Sequence, residues 1–241
     1  MARGFKEPGD KPRRFYKAVT VSEAAGGWGV RLDSRDLRTP GGAPLLLPAR
    51  ALAEMVAVEW ASQGEALELG GMHVTRLANT AIDSIPGARQ AVADQVADYA
   101  GSDLLCYFAE GPAALVARQD AEWSPVLARA EAEEGLFMTR ATGIVHRAQP
   151  EATLRRVRDI ALSLNDFALA GLAFATPLFG SAVLAIAVWR GWLSGEAALE
   201  LSRLDEAFQE EKWGIDAEAA ERTAGRRAEA AMVGAWLAAA G

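Results

Sequence analysis

The sequence predicts an α+β fold: a small N-terminal antiparallel β meander with a covering helix over residues 15–85, followed by an all-α helical domain over residues 86–241. Three observations predict it. Between Phe15 and Leu47 apolar and polar residues alternate with a period of two, in short runs cut by glycine and aspartate, the pattern of strands joined by tight turns. From Pro48 onward apolar residues recur at three- and four-residue spacing, in blocks that open on proline, serine or aspartate and close on glycine. Beyond residue 86 no convincing strand signal returns.

Residues 1–14 precede the fold. Arg3, Lys6, Lys11, Arg13 and Arg14 mix with Glu7, Asp10, Pro8 and Pro12, and no apolar h-region accompanies them, so this stretch reads as a flexible tail and not as a secretion signal. Tyr16, Ala18 and Thr20 alternate with Lys17, Val19 and Val21, and Gly26-Gly27 separates them from Trp28-Gly29-Val30-Arg31-Leu32, which predicts a hairpin. Asp33-Ser34-Arg35-Asp36 supplies the next turn, and Leu37–Thr39 and Leu45–Leu47 supply two more short strands. A meander this small needs a helix to rest on. Pro48 to Gln63 provides one, with Gly64 past its end and Leu52, Val56 and Trp60 on one face. A second helix is expected from about Pro86 to Ala100, capped near Ser84, with Val92, Val96 and Tyr99 inward. Ser124-Pro125 opens a short helix ending at Gly135, Pro150 to about Leu172 forms a longer one, and Pro177 to Arg190 forms the most apolar. Ser194 caps a helix that runs to Trp213, and Asp216 caps the last, with Val233, Trp236 and Leu237 inward.

A chain of 241 residues with 51% hydrophobic content can bury a sizeable core. The formal charge is -7, and residues 194–222 hold nine acids against three bases, a balance that repels phosphate backbones and argues against nucleic-acid binding. The single cysteine, Cys106, permits no intramolecular disulfide and suits a reducing compartment. Phe167 to Trp189 is 23 residues without a charge, long enough to cross a bilayer, but Thr176-Pro177 reads as an N-cap and first-turn proline that divides it into two buried helices, so no membrane insertion is expected.

The residues offer little for catalysis. His73 and His146 lack partners at ligand spacing, so neither a metal nor another cofactor is expected. Cys106 is flanked by Leu105 and Tyr107, which suits a buried hydrophobe better than a thiolate. Gly26-Gly27-Trp28-Gly29 joins two strands and opens no helix, which removes the phosphate-cradle reading. An enzyme would have to use carboxylates such as Asp33, Asp83 and Asp103 in a cleft between the two regions, and a peripheral membrane role would have to use residues 167–189.

The segment Leu204 to Gly214 is the most distinctive. At 100° per residue Leu201, Leu204 and Phe208 form one apolar stripe, while Glu206, Glu210 and Trp213 fall on roughly the opposite meridian, and Asp205 and Gln209 share a face. A solvent-side tryptophan among acids is the composition of a docking face, in which the ring supplies contact area and the acids supply register. The other reading is that Trp213 folds back over the last turn ahead of Gly214 and the acids are merely solvated.

Several blocks resemble one known family, in order and across nearly the whole chain after the tail. They are Arg14 to Val21, Val30 to Arg35, Leu37 to Pro40, Glu59 to Gln63, Thr75 to Asp83, Asp103 to Tyr107, Trp123-Ser124-Pro125 and Leu204 to Gly214. Together they are similar to the ATP synthase assembly factors that chaperone the alpha subunit, the Atp-twelve family. The resemblance implies a β-containing domain followed by a helical one, no enzymatic activity, and as partner the free alpha subunit of the F-type ATP synthase catalytic sector. It places the family's functional acid at Asp205 or Glu206, inside a partner-binding set of Asp205, Glu206, Gln209, Glu210 and Trp213, and it maps the family's Glu-Trp block onto Glu59 and Trp60, which are expected to be structural because Trp60 shares the buried face of Leu52 and Val56. Ser34 stands where that family usually has a turn glycine. The transit segment of mitochondrial members is missing, which points to a bacterial cytoplasmic member; a monomer is also expected.

Overall fold

The computed structural model describes residues 12–214 and 216–241, and the chain divides into two compact units, Met1–Asp83 and Ser84–Gly241. Most of the expected tail, residues 1–11, lies outside the described residues. Its end is not a tail: Arg13 bridges Ala66, the Arg14 amide donates to the Glu65 carbonyl at 2.8 Å, and the Leu67 amide donates to the Pro12 carbonyl at 2.7 Å.

In the first unit β1 (Val19–Ala24) and β2 (Gly27–Leu32) form the expected hairpin, with Val21 opposite Val30. Gly27 is obligatory there. Its φ is 149°, and a Cβ would lie 2.4 Å from the Leu47 carbonyl oxygen of β4 (Leu46–Leu47), which crosses close by as it pairs with β2. The expected strand at Leu37–Thr39 is displaced. The paired residues are Arg35–Asp36 (β3), and Leu37–Thr39 contributes a single bridge from Arg38 to Pro44. Asp33 takes the turn at φ 55° and accepts the Lys17 and Ala18 amides, bonds that hold its carboxyl below the usual range.

Helix α1 (Arg50–Ala61) packs on this sheet and buries Leu52, Val56 and Trp60. It is followed by α2 (His73–Asp83), which the residue pattern did not disclose. The start of α2 is held from outside the helix. The Glu59 carboxylate holds it from α1, accepting the Val74 amide, the Thr75 amide and the Thr75 hydroxyl, each at 2.7 Å.

The second unit is built around α7 (Ala182–Trp189), whose residues from Ala182 to Val188 are all buried. Against it pack α3 (Ile85–Ala100), α4 (Ala113–Glu134), α6 (Asp166–Phe179), α8 (Gly195–Ser202) and α10 (Ala217–Ala240), while α5 (Glu151–Ser163) lies on α3. Three helix boundaries differ from expectation for local reasons. Helix α4 runs through Pro125, because its buried stripe of Leu115, Gln119, Trp123, Leu127 and Ala130 is continuous and outweighs one lost backbone hydrogen bond. The long helix expected from Pro150 ends at Ser163, where the Asn165 side chain caps α6 by accepting the Phe167 and Ala168 amides. Thr176-Pro177 is not a helix start. Thr176 is buried within α6, and the break comes at Gly180-Ser181, where the Ser181 hydroxyl accepts the Leu184 amide.

In α3 Val96 is buried, but Val92 is half-buried and Tyr99 is 41% exposed, so the inward face is rotated toward Ala93, Ala97 and Ala100. A two-residue parallel pair, β5 (Tyr107–Phe108) with β6 (Ala141–Thr142), interrupts the helices where no strand was expected. Asp216 caps α10 by accepting the Ala219 amide, and Val233, Trp236 and Leu237 are buried along it. Among the described residues no helix is long and apolar enough to cross a membrane.

Candidate functional site

Arg203 decides the geometry of the acidic segment. Instead of one helix to Trp213 there are two, because Arg203 leaves the helical region at φ -109°, ψ 18°, ending α8 and beginning α9 (Leu204–Trp213). Its buried guanidinium reaches forward to the Glu210 carboxylate at 2.7 Å. Glu210 is therefore half-buried and answered by a charge within the chain, whereas Glu206, one turn earlier on the same face of α9, is exposed.

Helices α8 and α9 are fixed to α4 at several points. Trp123 donates its indole N–H to the Leu201 carbonyl at 3.0 Å, Arg118 pairs with Glu211 at 2.7 Å, and Gln119 donates from Nε2 to the Asp205 carboxylate at 2.7 Å. The Oε1 of Gln119 accepts the Ala109 amide beyond β5, so one fully buried side chain ties β5, α4 and α9 together. On α9 itself Leu204 is buried, Phe208 is half-buried beneath the Lys212 ammonium 4.3 Å from its ring, and Glu206 and Gln209 are exposed.

Trp213 ends the helix just before Gly214, as the second reading of the sequence had it, but its side chain does not fold back: it is 78% exposed. Beside α9 lies a cleft of about 540 Å³ whose lining includes Leu104, Tyr107 and Trp123 together with Asp205, Glu206 and Gln209. The Tyr107 hydroxyl also meets His146 Nδ1 at 3.1 Å, next to the exposed Ile144 and Val145. The structure thus brings Asp205, Glu206 and Gln209 to one cleft, leaves Trp213 at the far end of the helix, and pairs Glu210 with Arg203.

The other candidate residues have structural partners. Trp60 is buried against the Tyr16 ring, with centroids 5.7 Å apart, and Glu59 holds α2. Asp33 binds two amides, and Asp83 accepts the Thr39 hydroxyl at 2.7 Å and the Gly41 amide at 2.9 Å. Asp103 is fully buried and accepts from Ser181, Val183 and Leu105. Burial pushes the Cys106 thiol up to about 12, with the neighbouring Asp103 charge adding to the effect, so it is a poor nucleophile at neutral pH. Among the described residues no three His, Cys, Asp or Glu side chains are grouped as metal ligands.

Gln119 and Arg203 were not legible as site residues. The signal for Gln119 existed, a lone amide in the apolar four-residue stripe of α4, but it needs α4 to be read through Pro125.

A sequence profile for the family described as ATP12 chaperone protein matches residues 13–131. The mitochondrial protein atp12 of Schizosaccharomyces pombe is 24% identical over 214 residues, spanning 84% of this chain and 74% of that protein. Atp12 from Paracoccus denitrificans superposes with a TM-score of 0.87 at 38% identity, covering 95% of this chain and 98% of that one. A protein of Agrobacterium tumefaciens superposes at 0.88 with 41% identity, covering 95% of this chain and 86% of that one. An aspartate-to-lysine mutant of the Paracoccus protein superposes at the same 0.87, so that substitution leaves its fold in place.

Proposed function

Because the chain belongs to the ATP12 chaperone family, we propose that it is an assembly chaperone of the F-type ATP synthase that holds the free alpha subunit until the beta subunit displaces it. The observation that carries this reading is the exposed end of α9, where Trp213 stands in solvent and Glu206 and Gln209 open onto a cleft. A subunit made before its neighbour presents an apolar interface that aggregates, and a reversible binder lowers the free concentration of that surface. Release follows by mass action, so the chaperone needs only moderate affinity. A large exposed aromatic supplies contact area, and an acidic rim speeds and orients encounter at small affinity cost. On this reading the chain acts as a monomer, breaks no covalent bond, and uses Asp33, Asp83 and Asp103 only to hold its own backbone.

Glu206→Lys tests the docking face, since Glu206 is exposed and its replacement should change the unfolding free energy by no more than about 0.5 kcal/mol. Asp205 is a poorer choice, because its loss would strand the buried Gln119 amide. In a pull-down of alpha subunit from cells lacking the beta subunit, the wild-type chain should retain alpha and the variant should retain about tenfold less. Equal retention by both proteins would remove Glu206 from the interface.

A further inference from the structure

The acids of α9 are answered by cations only in part. Glu210 and Glu211 are matched by Arg203 and Arg118. Glu206, by contrast, has no hydrogen-bond or ion-pair partner among the described residues, and no Lys, Arg or His lines the cleft. Asp205 spends Oδ1 on Gln119. Because the Gln119 oxygen is occupied by the Ala109 amide, its nitrogen must face Asp205, which holds that carboxylate as an acceptor with Oδ2 to spare. The rest of the lining mixes carbon and hydroxyls: Leu104 and the half-buried Tyr107 ring lie with Ser102, Gly180 and Ser202, while Trp123 is almost wholly buried and its N–H is used on Leu201.

We propose that this cleft receives one arginine side chain of the partner protein, its stem along Leu104 and the Tyr107 ring and its guanidinium between the carboxylates of Asp205 and Glu206. An arginine fits better than a lysine. Two carboxylates and the Gln209 amide oxygen present several acceptors at different angles, which a planar fork of five N–H donors can meet together and a compact ammonium cannot. Aromatic carbon beside the acids favours the more weakly hydrated, stackable guanidinium. The cleft, at about 540 Å³, also has room for a whole long side chain, not merely its tip. This inference rests on the docking reading of α9 and narrows it to a residue type.

The test titrates the intact, isotopically labelled protein with N-acetyl-arginine methylamide and, in parallel, with the lysine analogue, following the Gln119 side-chain amide and the Trp123 indole resonance. Arginine should produce saturable shifts at both reporters and half-saturate at a concentration at least about fivefold lower than lysine. Glu206→Gln should weaken the arginine response at least about threefold while leaving the remaining spectrum in place. Shifts of equal size and midpoint with lysine, no saturation with arginine, or an unaltered response in Glu206→Gln would overturn the proposal. Retention of alpha subunit by the same two proteins is read separately. Retention together with a flat arginine titration would sink the pocket and spare the docking reading, whereas a saturating arginine response without retention would support the pocket and count against the client.

Discussion

Trp60→Arg should cost on the order of 3–5 kcal/mol and remove most of the protein from the soluble fraction at ordinary growth temperature. Trp60 is 9% exposed, lies on the face of α1 that also buries Leu52 and Val56, and rests against Tyr16, so a guanidinium there has no carboxylate to meet. The acid beside it in sequence, Glu59, is already committed to the start of α2 by three hydrogen bonds. Trp60→Phe is the control. The indole N–H is buried without a hydrogen-bond partner, so phenylalanine gives up some packing but also removes an unmet donor, and the net change should stay within about 2 kcal/mol. Denaturant unfolding of both variants checks the pair. An arginine variant within 1 kcal/mol of wild type, by the same arithmetic of buried charge, would mean the Trp60 site admits water.

Asp103→Ala should be comparably damaging, for a polar reason. Asp103 precedes the short 3-10 turn Leu104–Cys106, and its carboxylate accepts the Leu105 amide at 3.1 Å, the Val183 amide at 3.0 Å and the Ser181 hydroxyl at 2.6 Å. It thereby closes the turn and the first residues of α7 at once. Removing it strands three buried donors at roughly 1–3 kcal/mol each, about 3–9 kcal/mol in total if they do not relax.

The same carboxyl sets a pH dependence. Burial pushes it from 3.8 up to about 6, against the opposing effect of its hydrogen bonds. Between those values the folded chain binds the proton more tightly than the unfolded chain, so this group's contribution to stability is greatest below about pH 4 and falls as pH rises through 6, by about 3 kcal/mol. Asp103→Asn should abolish that slope. It retains one acceptor oxygen but sets an amide N–H₂ against one of the donors, at a cost of about 1–3 kcal/mol. Denaturant unfolding of wild type and Asp103→Asn at pH 4, 5, 6 and 7 reads the difference, and parallel pH profiles for the two proteins would contradict it.

How much of this was readable from residues alone depended on whether the cause was local. The hairpin was legible because Gly26-Gly27 and the alternating valines lie within a dozen residues of each other, and the last helix because Asp216 caps it in sequence. Helix α2 was hidden because its cap, Glu59, arrives from the preceding helix. Helix α4 was cut short by a proline that its buried stripe overrides, and Thr176-Pro177 imitated a helix start that Gly180-Ser181 supplies instead. At the site, the composition of Leu204–Gly214 pointed to the correct stretch but not to its inner logic. A helical wheel places Glu210 with Glu206 and Trp213, and it does not show that the break at Arg203 brings a buried guanidinium to Glu210 alone. The cleft was beyond reach for the same reason, since its lining comes from residues about a hundred apart in the chain, Leu104 and Tyr107 together with Asp205 and Glu206.

The most direct measurement is the light scattering of purified, free alpha subunit as it is warmed or diluted from denaturant with this chain at an equimolar ratio. Wild type should suppress the scattering, Glu206→Lys should do so markedly less, and added beta subunit should release the chaperone from alpha. Scattering that rises equally with and without the chain, while the chain itself stays folded, would contradict it.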